Sequence, residues 1–543
     1  MTVIVFNLFY LVHLLIGRGL VLFLKNKLKF KVEFNNLQIS EFNIYPLVAI
    51  FLFGNLSFIA NFFVPVLDIL PYLIGIAIFF IIYNLKEKVT FQYPLQPIVT
   101  IIISSILSIS TFGMRLHYDM GLYHLVNQTW IRENKIVFGI QNLHNRLGFS
   151  SIQEYISSIY WYGGNYVFLH FINLIFFVFF FIYLYETIFI YKSKFLRNSS
   201  IIILLYCFMD NFGVNGGGNG FVAIQTIGKS DSSFAVIYFI TSLLILNELK
   251  NKNFSYSVLS IFLYMTFFAI QFRVSGVVLL VLIFFYFFND KNINFLNIFK
   301  TNKTLLSISF FWLIKNIIIS GCAFFPIKYT CVTSLNWYSK ELVDLSVEQS
   351  RGFYKAIDFK NLQDWFSIWL NTGFNRQITY NFLISILLIF LIRLFITIKN
   401  IDNQKISLSF FIFLILGVLL WITNSPGLRF AYALYMLCFI PLSFNREIRG
   451  DVKYQKVFIL MLFSISILLF PRLYSYQHFL NNYSELTSVN IPVDSVEVNQ
   501  LNWGVSPING NQCWNYKECS SSNKGVQPLI KYDYYFFYSL ENK

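Results

Sequence analysis

Charge is what this chain has least of. Across 543 residues only 12% are charged while 56% are hydrophobic, and mean hydropathy is +0.60. A soluble domain carries roughly 25% charged residues, so this shortage excludes an ordinary water-soluble fold and points to a chain whose solvent is lipid. Also missing is the alternating pattern, about ten residues per segment, that marks a membrane β-barrel; the apolar runs here are continuous. No basic patch interleaved with aromatics sits on a soluble stretch, so the net charge of +15 does not mark a nucleic-acid partner. The N-terminal run lacks a basic lead and passes straight into lysines, unlike a cleavable signal peptide. No internal repeat or linker divides the chain.

What is present is a series of apolar segments. Runs of about 17 to 25 such residues can cross a bilayer as helices. About fourteen follow one another, at 2–24, 45–62, 69–83, 97–113, 166–190, 199–209, 232–249, 254–270, 275–289, 304–321, 379–398, 406–423, 427–444 and 456–471. The predicted fold is therefore an all-α polytopic membrane protein. Lysine and arginine concentrate on the cytoplasmic side of short loops. If residue 1 starts outside, the inner loops 25–44, 84–96, 191–198, 249–253, 290–303, 399–405 and 445–455 are short and mostly basic, and the first holds Lys25, Lys27, Lys29 and Lys31. The short outer loops at 63–68, 210–231, 271–274 and 424–426 contribute only Lys229 and Arg273. The positive charge is thus mainly a topology signal.

Three regions then fall outside: 114–165, 322–378 and 472–543. Residues 1–471 read as one bundle, and 472–543, rich in Asn, Ser and Tyr, as an extracytoplasmic tail or small domain. Of six cysteines, Cys322, Cys331, Cys513 and Cys519 land outside, where an oxidising compartment permits Cys513–Cys519 and Cys322–Cys331 bridges or leaves free thiols. Cys207 and Cys438 sit in helices as packing residues.

The first outer loop carries the densest polar chemistry. In HYDMGLYHLVNQTWIREN, residues 117–134, the residues Leu122, Leu125, Val126, Thr129 and Trp130 recur at helical spacing. That predicts an interfacial helix with Trp130 at headgroup level and Asp119 at its start, where an acid can serve simply as a cap or as a functional group at the membrane surface. Downstream come Gln141, Asn142, His144, Asn145 and Arg146, then Tyr155, Tyr160, Trp161 and Tyr162. Those rings can stack on sugars or form an interfacial belt. His117, Asp119 and His124 match no standard metal spacing, so neither a metal nor another cofactor is indicated.

The strings DMGLYHL, NLHNRLGF, IKNIIISG at 314–321 and SPGLRFAY at 425–432 resemble a largely uncharacterised bacterial branch of the GT-C type of membrane glycosyltransferases. The resemblance extends to about residue 480. It implies transfer of a sugar from a polyprenyl-phosphate-linked donor to a glycan or glycolipid acceptor on the outer side of the cytoplasmic membrane, in cell-surface polysaccharide or glycolipid assembly. Asp119 would be the catalytic base. Many relatives carry two neighbouring acids in this loop, whereas here the string is HYD, a departure that puts a two-carboxylate metal site within the loop in doubt and leaves a divalent metal possible but not indicated.

A carboxylate within hydrogen-bond reach can take the proton of an attacking hydroxyl, and the leaving phosphate then needs cations. Arg429, Lys315 and Arg273, near the outer ends of spans, are the donor-phosphate candidates. His117, His124, His144, Arg146 and Trp161 are candidates for holding the acceptor or sugar. Asp231 is a second acid, or merely part of a polar helix start. The stretch AIQTIGKS, residues 223–230, lacks the first glycine of a phosphate loop and no strand precedes it, and the glycines at 216–218 read as a flexible loop. A lipid-linked oligosaccharide flippase or other transporter is the alternative from a different class, but transporters place binding groups near the midplane whereas these candidates lie at outer ends. A surface polysaccharide polymerase shares the large outer loops.

Overall fold

The computed structural model describes residues 1–28, 34–87, 93–114, 116–149, 151–161, 165–212, 230–252, 254–289, 295–351, 361–372, 375–400, 408–443, 446–448, 453–487, 498–501, 503–508, 510–520 and 527–539. The glycine run 216–218, the 223–229 part of the phosphate-loop-like stretch, Tyr162, Lys29 and Lys31 lie outside the described residues.

Four helices precede the first loop: α1 (Thr2–Leu28), α2 (Glu41–Asn61), α3 (Val66–Leu85) and α4 (Gln96–Ser108). The loop holds α5 (Leu125–Glu133) and α6 (Ile152–Ile159). Then come α7 (Val167–Phe189), α8 (Lys194–Phe212), α9 (Asp231–Asn251), α10 (Tyr256–Phe272), α11 (Leu279–Phe288), α12 (Phe295–Thr301) and α13 (Lys303–Ser320). After α14 (Lys340–Arg351) and α15 (Leu362–Asn371), the bundle resumes with α16 (Asn375–Ile396), α17 (Leu408–Asn424), α18 (Tyr432–Cys438), α19 (Lys453–Leu468) and α20 (Leu473–Asn481). Serine caps set several starts. Ser40 accepts from Asn43 N–H ahead of α2, Ser151 from Gln153 ahead of α6 and Ser255 from Val258 ahead of α10, each satisfying a donor the helix cannot.

Helix occupies most of each of the fourteen segments expected to span, although 379–398 runs into a strand at Thr397, and residues 406, 407 and 444 lie outside the described residues. Among the described residues, seven helices are long and apolar enough to cross a membrane, or up to nine if each bent pair, α15–α16 and α19–α20, counts as one span. The helices at 256–272, 274–288, 408–424 and 428–443 are shorter, and α8 contains Lys194, Arg197 and Asp210. Helices α7 and α9 form the centre, each 94% buried over its most apolar window, whereas α3 is 17% buried over its own and turns Ile74, Ile78 and Ile82 outward at helical spacing. An apolar face of that kind is consistent with lipid as its neighbour. Helix α1 approaches its neighbours through glycine: a Cβ on Gly17 would lie 1.9 Å from the Tyr45 carbonyl oxygen of α2, and one on Gly19 2.0 Å from that of Phe80 on α3. Small residues allow this backbone proximity, which membrane helices use in place of hydrophobic collapse.

Three two-stranded antiparallel ribbons interrupt the helical plan: β1 (Thr397–Asn400) with β2 (Arg446–Ile448), β3 (Val498–Gln500) with β4 (Val505–Pro507), and β5 (Leu529–Lys531) with β6 (Tyr534–Phe536). The last two belong to the tail, which folds onto the first loop. Phe138 N–H donates to Tyr535 O and Phe537 N–H to Phe138 O, both at 2.9 Å, and Cys513, Cys519 and Phe537 share one apolar cluster with Val126, Trp130 and Leu143. This corrects the expected membrane-surface position of α5. Trp130 is 1% exposed and sits edge-on to Tyr535 and Phe537, because the tail supplies the apolar surface that lipid was expected to supply. Both cysteine pairs, Cys322–Cys331 and Cys513–Cys519, are disulfides, and Cys207 and Cys438 are free.

Candidate functional site: a charged cavity at one end of the bundle

The acid of the first loop does not cap its helix. Asp119 has helical backbone angles, φ −62° and ψ −22°, and makes no side-chain capping bond. The turn it opens, Met120–His124, is a π-helix in which Leu125 N–H reaches back to Met120 O, the wide turn that recurs at functional sites. The tail grips this turn from behind. Cys513 and Trp514 N–H both donate to Gly121 O at 2.8 Å, Gln512 Nε2 donates to Tyr118 O at 3.0 Å, and a Cβ on Gly121 would meet the Trp514 ring at 2.9 Å. With its back so held, the turn presents Asp119, Tyr123 and His124 to a cavity of about 630 Å³.

Arg429 and Arg273 reach the same cavity from turns. Arg273 follows α10 in extended conformation and leads into the 3₁₀ turn Val274–Val278, while Arg429 lies within the 3₁₀ turn Leu428–Ala431 ahead of α18. Phe430 lies between them, with the Arg273 guanidinium 4.1 Å and the Arg429 guanidinium 4.8 Å from its centroid. Each arginine has an acid. Arg273 is paired with Asp231 at the start of α9, and Arg429 Nη2 is 3.5 Å from Asp119 Oδ2. Asp119 also has His117: its own backbone N–H donates to His117 Nδ1 at 3.1 Å, and Oδ2 lies 3.2 Å from that nitrogen. Bare, Nδ1 accepts from the backbone; protonated, it donates to the carboxylate. Burial pushes the Asp119 carboxyl up, but the hydrogen bond and charge of His117, with Arg429 and His124, outweigh it and hold the carboxyl well below the usual carboxylate range.

A third acid went unread in the sequence. Glu154 of α6, 2% exposed, binds His124 Nδ1 through Oε1 and accepts from Gln128 Nε2 at 2.8 Å through Oε2. It lines the cavity with His124. Its sequence signal was slight: besides Asp119 and Glu133 it is the one acid in 114–165, on a helix whose Ile152 and Ile156 face the core. Asp119 and Glu154 thus line one cavity although they stand on different elements of the loop.

The other candidates separate. Arg146 lines the cavity and donates through Nη2 to Gln349 O at 3.3 Å. His144 does not line it. It is buried, accepts from Arg146 N–H at 3.2 Å, and burial with the charge of Arg146 pushes its imidazole down to about 4. Trp161 is also off the cavity, donating to Gln128 Oε1 at 2.8 Å with Arg132 over its ring. Lys315 is fully buried with its ammonium 3.2 Å from the Trp312 centroid, so that Trp312 rather than Lys315 forms the wall. Lys315, expected to contact the donor phosphate, is therefore buried behind the cavity lining rather than part of it, while Trp312 of the same helix is in that lining. Among the described residues no group of three or more His, Cys, Asp or Glu is arranged to hold a metal ion.

A multi-helix protein of membrane type, with ionised groups gathered at one end of its bundle, is the class that this fold and cavity define. The chain belongs to the family described as a domain of unknown function, DUF8201, which matches residues 1–436. Every residue lining the cavity lies within that match, and the tail lies beyond it. No curated protein and no solved structure matches the chain.

Proposed function

We propose that this protein is an integral membrane glycosyltransferase that moves a sugar from a polyprenyl-phosphate-linked donor to a glycan or glycolipid acceptor, with the cavity on the outer side of a bacterial cytoplasmic membrane. The observation that carries this is the placement of Asp119 and Arg429 side by side on one cavity wall, the base and the phosphate-binding cation such a transfer needs. The disulfides among the outer cysteines support the orientation, and all fourteen apolar segments cross in this reading.

Asp119 accepts the proton of the acceptor hydroxyl as its oxygen attacks the anomeric carbon. Arg429 holds the phosphate that leaves with the lipid, offering a planar fork of donors, while Arg273, kept on Asp231, adds its charge to the cavity wall. The Asp119–Arg429 pair adds a coupling. With the guanidinium on it the carboxylate is a weak base, and a donor phosphate that draws Arg429 away relieves that charge and raises its basicity once the donor is in place. The test is to compare cells producing the protein with cells lacking it, by mass spectrometry of polyprenyl-phosphate sugars and envelope glycans. The reading expects a sugar to move from the first pool to the second, and unchanged pools contradict it.

A further inference from the structure

We propose that His124, oriented by Glu154, is a second proton-transfer residue of the cavity, donating from Nε2 to the phosphate oxygen that leaves the sugar. This rests on the glycosyltransferase reading and assigns the opposite side of the reaction from Asp119.

The geometry fixes which nitrogen acts. Glu154 uses both oxygens, one on His124 Nδ1 and one accepting from Gln128, and Gln128 Oε1 in turn accepts from Trp161 Nε1 at 2.8 Å. A buried carboxylate anchored at both oxygens cannot turn away from the ring. Imidazole is a stronger base than a glutamate carboxylate by about two pH units, so the shared proton stays on Nδ1 and Nε2 is the nitrogen that gains and loses charge. Nε2 makes no hydrogen bond with the described residues, and His124 lines the cavity. Burial pushes the imidazole down, but the charge and hydrogen bond of Glu154 on α6 outweigh it, with Asp119 at the head of its own helix and Asp231 on α9 adding to them, so the imidazolium is favoured. The Tyr123 ring is 4.2 Å away, and Arg146, Arg273 and Arg429, which face the same cavity, pull the other way.

In the transfer, the bond from the anomeric carbon to the phosphate oxygen breaks with its electron pair going to that oxygen, which takes the Nε2 proton. The acceptor oxygen forms the new bond to carbon and its proton goes to Asp119. The proton on Asp119 then returns to Nε2 through solvent, so no oxidant or reductant is needed. A phosphate monoester has its second pKa near about 6, close to that of imidazole, so the proton is shared along the breaking bond at little cost.

The test is binding of farnesyl methyl phosphate, a phosphodiester with one charge at every pH used, to the full chain in detergent between pH 5.5 and 8.5. Asp119, Arg429 and the probe keep their charges over this range, and every protein compared carries His117→Gln so that the imidazole beside Asp119 does not titrate in the assay. In that background wild type should lose about tenfold in affinity as pH rises, the scale of a hydrogen bond from a charged donor. His124→Gln should bind with no pH dependence. Glu154→Gln should move the midpoint down because the carboxylate charge is gone, and Glu154→Asp should restore part of it. If Glu154→Gln does not fold, His124→Gln alone still decides. Affinity that is flat with pH in wild type, or still pH-dependent in His124→Gln, while Arg429→Ala weakens binding, overturns the role of His124 and leaves the donor reading standing. No binding by wild type overturns both.

Discussion

Two acid–arginine pairs flank Phe430 and differ in how open they are. In the Asp231–Arg273 pair the acid side chain is 4% exposed and the arginine 23%. In the Asp119–Arg429 pair the figures are 20% and 37%, with 3.5 Å between the charged atoms. A closed pair of opposite charges is expensive to separate and holds two helix ends together, whereas an open, longer pair can exchange its partner for a ligand. The same chemistry is thus closed at the start of α9 and open to the cavity at the start of the first loop's helix, which is the side that the proposed function gives to the substrate.

The sharpest way to break this comparison is to remove the two acids separately. Asp231→Ala strands the Arg273 guanidinium against Phe430 and Phe234, and losing one member of a buried pair costs about 3–5 kcal/mol. The expected outcome is a large fall in folded protein, measured by thermal unfolding in detergent; a wild-type midpoint contradicts the structural role. Gly121→Ala comes next. Its methyl group meets the Trp514 ring at 2.9 Å, and such overpacking costs about 1–3 kcal/mol. It should detach the tail from Asp119's turn, seen as faster backbone hydrogen exchange at 512–520, and unchanged exchange would show that the tail does not brace the site.

Arg429→Lys sharpens the open side. It keeps charge but loses the planar fork, so the donor concentration needed for half-maximal transfer should rise several-fold with little change in protein level, and an unchanged donor requirement contradicts phosphate contact. Away from the cavity, the effect is smallest per step of pH and is read as a slope. Because His144 is pushed down to about 4 in the folded chain, below its ordinary value the unfolded chain takes up a proton that the folded chain refuses. Stability should therefore fall as pH drops from about 6.5 towards 4, by about 1.4 kcal/mol per pH unit at most. A His144→Gln protein should lack that part of the slope, as followed by urea unfolding at several pH values.

Helix positions were legible because runs of apolar residues separated by basic loops leave few alternatives, and helix occupies most of each of the fourteen segments among the described residues, seven to nine of the helices being long and apolar enough to cross a membrane. The charged residues Asp119, Asp231, Arg273 and Arg429 were legible for the same reason: alternation of the chain across the bundle puts their loops at one end, and the cavity gathers them. Three features were not legible. Trp130 depends on Tyr535 and Phe537, from a tail whose docking no local pattern encodes. Lys315 depends on the rotation of α13, which a helix apolar on most faces does not reveal. Glu154 became a site residue only through His124 and Gln128, partners from the other side of the loop.

The central claim is that the open pair does the chemistry, and Asp119→Asn tests it most directly. The substitution keeps size but cannot accept a proton, and no capping bond is lost because Asp119 makes none. Transfer per unit of membrane-inserted protein should fall on the order of a hundredfold or more, the scale of a general base, with wild-type protein levels. Undiminished transfer by a well-inserted Asp119→Asn protein would contradict the account.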